Sequence, residues 1–427
     1  MAKIISNIEY PYYSKWDKSK NYVSFDIKGV TASLVNGIRR TIISQVNTVG
    51  IRTEPYEKNQ VEIIQNDTPL HNQFLSHRVS MIPINVPDVN KFNVDDYEII
   101  IDVSNNSNFP KDVTTEDIKV RKISDNKILS DSETRKLFPP NPETKEHILI
   151  SRLKPKYYQF GNISDKSIID TLRDEVTVGQ SNSMRLYLKS KMCISNGEEN
   201  GHFNPSSCSV YFNKVDPEKA NKAEEQFVID ENDKYIRNNL TALPEEDIRR
   251  RFKTTMRDRY FYTDVEGEPY WFTFNIETVG VIPPLLIFHR AIELLKNIIN
   301  NFRSNIISGD QTKVETGESL ELPNAFEVKV HNEDDTLGNI LQTYFSNQFA
   351  KYGSENRLLN FIGYNKIHPL QKIIKITIQP LNSTMKWEDV VENVINPGCQ
   401  NIIKILNKLQ QELEDAPQFT TELKRIK

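Results

Sequence analysis

The chain has 427 residues, 54 basic against 58 acidic side chains, a net charge of -4 and 37% hydrophobic residues. That length suits two or three domains, and a chain without a basic excess does not grip duplex DNA over its whole surface, so any DNA contact must be local or indirect, supplied by partners. Three scattered cysteines, Cys193, Cys208 and Cys399, exclude a disulfide framework and a structural zinc site and fit a reducing intracellular compartment. No apolar window approaches the roughly 18 residues of a membrane span, and "MAKIISNIEYPYYSKW" has no apolar core of a secretory leader.

"NYVSFDIKGV" alternates, with Val23, Phe25 and Ile27 on one face, and predicts a strand. A helix follows from an N-cap at Thr31. Its apolar stripe is Leu34, Val35, Ile38, Ile42 and Val46, with Asn36, Arg39 and Arg40 beside it. "NDTPLHNQFLSHRVSMIPI" predicts a second helix, capped by Thr68, with Pro69 at its first position and Pro83 as its stop. Leu70, Phe74 and Met81 would form its buried side. His71 and His77 are six apart, which is not the i, i+4 spacing of metal ligands. His77 and Arg78 read as contacts within the fold or with a partner.

From 89 to 264 short alternating runs ("DYEIIIDV", "SMRLYLKSKM", "SCSVYFNKV") suggest an inserted β-rich domain. It ends in a charged extension, 216–262. There Arg249, Arg250, Arg251, Lys253, Arg257 and Arg259 are interleaved with Phe252, Tyr260, Phe261 and Tyr262 and flanked by Glu245, Glu246, Asp247 and Asp258. Charge runs are usually solvated, so a solvent- or partner-facing surface is the stronger reading and direct DNA contact the weaker. "PYWFTFNIET" then restores a strand. Pro283 and Pro284 mark a turn into a helix whose buried side is Leu285, Ile287, Ala291, Leu294, Leu295, Ile298 and Ile299. Residues 1–88 and 265–302 thus form one discontinuous unit.

The polar stretch 303–321 reads as a flexible linker. A second α+β unit, 322–417, opens with the strand "AFEVKVH" and the acidic "HNEDDTLGN". Glu333, Asp334 and Asp335 could hold a divalent cation. The favoured reading makes Asp335 the cap of a helix starting at Thr336, with Leu337, Ile340, Leu341 and Tyr344 on one face and Gly338 allowing close approach of another backbone. Strands "FIGYNKIHP" and "QKIIKITIQPL" precede a long helix that Pro397 should kink, Asn396 capping its second part. Residues 418–427 read as a tail. No phosphate-binding loop, nucleophile elbow or zinc-protease motif occurs.

"VTASLVNGIRRTIISQV" with "HNQFLSHRVSMIPI", "GHFNPSSCSVYFNKVDP" and "FTFNIETVGVIPPLLIFHRAIELLK" resembles the α-type subunits of cellular RNA polymerases, including the third-largest subunit of the eukaryotic enzyme. "NEDDTLGN … FIGYNKIHPLQKIIKITIQ" resembles the small eleventh subunit that pairs with it. The resemblance implies two α-subunit-like dimerisation units fused in one chain, as expected in large DNA viruses. They would form an intramolecular pseudo-heterodimer of α+β fold with a β-rich domain inserted in the first unit. It further implies a non-catalytic assembly platform without cofactor or metal. Its partners would be the largest and second-largest polymerase subunits and the small tenth- and twelfth-type subunits, in the virion and the host cytoplasm or nucleus. Assembly contacts are then expected at Asn36, Arg39, Arg40, His77, Arg78, Asp335, Thr336, Leu337, Gly338, Asn339, His368 and Pro369. The cysteine cluster that some relatives carry in the inserted domain is missing here. The rival readings are a magnesium-dependent nuclease using Glu333, Asp334 and Asp335, and a free-standing transcription factor binding DNA through 249–259.

Overall fold

The computed structural model describes residues 3–11, 20–107, 109–155, 184–238, 243–353 and 356–426. The chain begins with an antiparallel pair, β1 (Ile5–Glu9) and β2 (Tyr22–Lys28). Alternation sends Val23, Phe25 and Ile27 of β2 into the core. Helix α1 (Ala32–Ser44) starts at Thr31, whose hydroxyl accepts from the Leu34 amide at 3.4 Å, and buries Leu34, Val35, Ile38 and Ile42.

The chain then leaves for the inserted domain, and it does so earlier than residue 89. β3 (Thr48–Gly50), β4 (Val61–Asn66) and α2 (Asn72–Ser80) already belong there. So do β5 (Tyr97–Asn105), β6 (Lys111–Thr114), β7 (Ile118–Lys122), β8 (Lys127–Ile128), α3 (Asp131–Leu137), β9 (Leu149–Leu153), β10 (Met184–Lys191) and β11 (Cys193–Ser195). A five-stranded sheet runs β4-β10-β5-β7-β8, beside the ribbons β6-β9 and β3-β11. Leu75 and Val79 of α2 close a core with Ile99, Ile101, Val103, Leu186 and Leu188. This sheet claims β4 and α2, which moves the boundary.

Helix α2 also differs from its expected phase. His71 caps it, accepting from the Gln73 amide at 3.3 Å, while Thr68 stays in the preceding turn, held by the Asn66 side chain. Starting three residues later buries Leu75, Ser76, Val79 and Ser80 and leaves Phe74 69% and Met81 55% exposed.

β12 (Ser206–Asn213) returns to the first sheet and is not part of the insertion. A helical excursion, α4 (Pro217–Arg237) and α5 (Glu245–Thr255), follows before β13 (Trp271–Thr278) and α6 (Pro284–Ser308) complete the unit. The sheet order is β1-β2-β13-β12, antiparallel throughout. Phe25 lies opposite Phe274, and Phe288 of α6 packs edge-on against both, at ring separations of 4.9 and 5.4 Å.

The expected linker is mostly ordered structure. Phe302 and Ile306 extend the buried stripe of α6 to Ser308, and Gly309 ends the helix at φ 67°. β14 (Val314–Glu318) is already an edge strand, so only 309–313 connect the units. β15 (Phe326–His331), α7 (Asp335–Phe345), β16 (Leu359–Lys366), β17 (Ile373–Pro380) and α8 (Asn396–Glu414) follow. Their sheet runs β14-β15-β17-β16. Each unit is thus threaded in one order: edge strand, strand, helix, edge strand, central strand, long helix.

At Pro397 the chain widens into a π turn, Val391–Ile395, and continues helical, so the missing proline donor is absorbed without a break. Asn396 does not cap. Its side chain accepts from Arg303 Nε of α6 at 2.6 Å. The expected tail is a helix, α9 (Pro417–Ile426), that buries Phe419 and Glu422. Among the described residues no helix is long and apolar enough to cross a membrane.

Candidate assembly interface

The two units share one hydrophobic core, running from Val23 and Phe25 through Leu295 and Ile299 to Leu337, Ile340, Ile402 and Leu406. Helix packs on helix at two seams, α1 against α7 and α6 against α8.

At the first seam α1 comes in close because residue 37 is glycine. A Cβ there would lie 2.6 Å from Ile340 Cδ1. One turn on, Arg40 reaches across with Nε 2.8 Å from Thr336 Oγ1 and Nη2 2.7 Å from Asp334 Oδ2. Asp334, not Asp335, is the N-cap of α7 and accepts from the Thr336 amide at 2.8 Å. The cap moves back one residue because Asp334 keeps extended backbone while Asp335 already has helical hydrogen bonding. Burial raises the Asp334 carboxyl, but Thr336 and Arg40 outweigh it and hold it below the usual range. Among the described residues its neighbour Glu333 has no such donor, and burial, with the carboxylates of Asp334 and Glu198 nearby, pushes it up to about 7.

A cleft of about 320 Å³ lies over this seam, lined by Arg39, Arg40, Ile43, Glu198, Glu333 and Lys372 among others. Arg39 sits at it, its Nε donating to Asn36 Oδ1 at 3.0 Å. Glu198 from the inserted domain pairs with Lys372 of the second unit.

At the second seam Lys296 donates to Asn407 at 3.1 Å and also to Gln410. His289 Nε2 lies 2.7 Å from Glu414 Oε1. The end of the second unit then fastens the start of the first. Glu412 Oε2 accepts from the amides of Ile4 and Ile5 at 2.6 and 3.0 Å. Glu422, 1% exposed, accepts from the Leu285 amide at 3.0 Å and from Tyr10 Oη at 2.8 Å. Pro283 has no side-chain cap to offer α6, and a carboxylate from the other unit serves its first turn instead.

Of the expected residues, the fold brings together Arg40 and Thr336, with Asn36 and Arg39 on the same helix. Leu337 is buried under the seam. Gly338 admits not another backbone but the Tyr364 ring, 2.5 Å from where its Cβ would be, and Asn339 donates to Tyr364 Oη at 2.8 Å. His77 and Arg78 lie elsewhere, on α2 of the inserted domain. Arg78 there donates to the carbonyls of Leu149 and Ile150 at 2.7 and 2.9 Å, and His77 is exposed. His368 and Pro369 lie in the exposed turn between β16 and β17. Asp334, Glu412 and Glu422 were not anticipated. The only sequence signal for the last is Phe419 with Glu422 and Leu423 at helical spacing. Among the described residues no group of three His, Cys, Asp or Glu side chains is placed to hold a metal.

The comparisons fit this architecture. A family model described as the RNA polymerase Rpb3/Rpb11 dimerisation domain matches residues 24–299, and a second of the same description matches 325–412. The DNA-directed RNA polymerase subunit Rpo3 of Pyrococcus furiosus is 34% identical over 83 residues, 19% of this chain and 29% of that protein. The DNA-directed RNA polymerases I and III subunit rpac1 of Dictyostelium discoideum is 38% identical over 76 residues, 18% of this chain and 20% of that protein. These aligned segments span less than a third of the curated relatives. With both units matched and paired as described, the chain belongs to the Rpb3/Rpb11 dimerisation-domain family, with two such domains fused in one chain.

Proposed function

We propose that this protein is a non-catalytic assembly platform of a multisubunit DNA-dependent RNA polymerase. Its paired units dock the largest and second-largest subunits, with small tenth- and twelfth-type subunits alongside. The observation that carries this reading is the single core shared by two like-threaded units. Pairing buries the faces of four helices and leaves the outer edges of both sheets and the α1–α7 cleft for other proteins. The reading includes a source in a large DNA virus, with action in the virion and the host cytoplasm or nucleus, which immunodetection in purified particles would test.

Within this reading Arg39 and Arg40 have different work. Arg40 is held by Asp334 and Thr336 and belongs to the internal seam. Arg39 lines the cleft with its guanidinium engaged only through Nε to Asn36 among the described residues, free to make a planar two-point contact with a partner carboxylate or carbonyl pair. Co-expression with the second-largest subunit and affinity purification test this. Arg39→Ala should lower recovery of the complex while leaving the unfolding midpoint of the isolated chain unchanged. Full recovery with Arg39→Ala would reject that docking contact, and failure of the wild-type chain to co-purify would reject the platform itself.

A further inference from the structure

The helical excursion α4–α5 interrupts the turn between β12 and β13. In the second unit the same position is only the short β16–β17 turn carrying His368 and Pro369. Sheet pairing does not require it, and its charges are sorted. Residues 249–259 hold six basic side chains and one acidic one, Asp258, in a chain of net charge -4.

Three of the six cations are structural. Arg249 and Lys253 reach Glu224 of α4, at 3.4 and 3.7 Å, and Arg251 reaches Glu231 at 3.3 Å. Glu224 is 8% exposed, so these pairs zip α5 onto α4 around Phe252. The other three point away. Arg250 has a side chain 77% exposed that, among the described residues, pairs only with Asp247 on its own helix. Arg257 and Arg259 are exposed, and their guanidinium groups have no hydrogen bond or ion pair among the described residues.

We infer that Arg250, Arg257 and Arg259 form a surface for the phosphate backbone of duplex DNA, read without regard to sequence. Phosphate contacts need cations but no pocket and no apolar centre. Residues 249–259 have no apolar centre to offer: Phe252 is buried, Met256 half-buried, and the rest is Arg, Lys, Thr and Asp, the exposed Ile229, Ile236 and Leu243 of the excursion lying outside this segment. A protein partner would need such a centre. Unpaired bases would need free aromatic faces, and here Phe261 is half-buried and both tyrosines already stack within the fold. Tyr260 stacks on Phe252 at 5.7 Å and Tyr262 on Trp271 at 4.7 Å. The arrangement therefore favours a duplex over a single strand and over an acidic protein.

Fluorescence anisotropy of the full chain with a short labelled duplex tests this, run between about 50 and 200 mM salt. The wild type should bind in the non-specific range, with Kd about 10⁻⁶–10⁻⁴ M, and log K should fall with log salt with a slope of about -3 for three phosphates. R257A/R259A should weaken binding about tenfold at the lowest salt and make the slope shallower by about two. R257K/R259K, which keeps both charges, should bind nearly as the wild type and serves as the folding control. Unchanged affinity and slope in the alanine variant would overturn the proposal. So would tighter binding of single-stranded DNA, or of a polyglutamate peptide, than of the duplex. The platform reading places its docking contact at Arg39 and none at these arginines, so neither result bears on it.

Discussion

Glu333 and Asp334 are adjacent carboxyls that the α1–α7 seam treats in opposite ways. Asp334 is bound by Arg40 and Thr336 and titrates below its ordinary value, so its stabilisation is present above about pH 4 and fades as pH falls. Glu333 titrates near 7 against an ordinary 4.5. Between those values the folded chain keeps a proton that the unfolded chain releases, so stability falls as pH rises through the window and levels off above it. Glu333→Gln should therefore flatten the decline between pH 5 and 7 and leave the protein about 1–2 kcal/mol more stable than wild type at pH 8, discounting the shift for partial exposure. Urea unfolding at several pH values reads this directly, and a decline that persists in the variant would mean another group titrates there. The Arg40–Asp334 pair is half exposed, at 37% and 39%. A double-mutant cycle of Arg40→Ala and Asp334→Ala should thus give a coupling of only about 0.5–1 kcal/mol. A coupling indistinguishable from zero would mean that Gly37 and the apolar seam do all of the joining.

At the scale of elements, close approach depends on two glycines. A Cβ at Gly37 would press on Ile340 Cδ1, the free end of a flexible chain, whereas one at Gly398 would press on the Phe345 ring at 2.5 Å. Phe345 is 1% exposed and has nowhere to turn. Gly37→Ala should cost about 1 kcal/mol and Gly398→Ala about 2–3, measured as thermal unfolding of the two variants side by side. An equal cost would show that Phe345 relaxes as easily as Ile340. The same elements show what sequence carries. β2, α1, β13, β15 and β17 are legible because one face of each is buried, which stamps a period of two or 3.6 on the residues. The phase of α2 is not legible because its largely polar sequence has only Leu75 and Val79 facing its sheet, too few to fix the rotation. The supposed linker misled by composition. β14 is an edge strand with Val314 alone buried, so four of its five residues read as loop. The seam ligands Glu412 and Glu422 were hidden because a carboxylate's partner, an amide some 140 or 400 residues away, leaves no local pattern.

For the whole molecule, the question is whether the short tether or the shared core holds the units together. Residues 309–313 are too few to let the second unit wander, and a connection of that length sets an effective concentration of about millimolar or above. Yet the contact itself includes two helix–helix seams, the Arg40, Lys296 and Arg303 bonds, and the capping of β1 and α6 by Glu412 and Glu422. Burial of this kind resembles a domain core cut in two, as in obligate dimers, where separate folding of the halves is not the rule. A protease site placed at 309–313 and cut after folding should therefore leave two fragments that co-elute at the size of the intact chain under native conditions and separate only in denaturant. The unfolding midpoint should become concentration-dependent, since the cut turns a unimolecular transition into a bimolecular one. Fragments that part at micromolar concentration without denaturant would show instead that fusion, not the seams, is what keeps the units paired. Arg40→Ala, which weakens one seam without touching the tether, should then shift the cut protein more than the intact one.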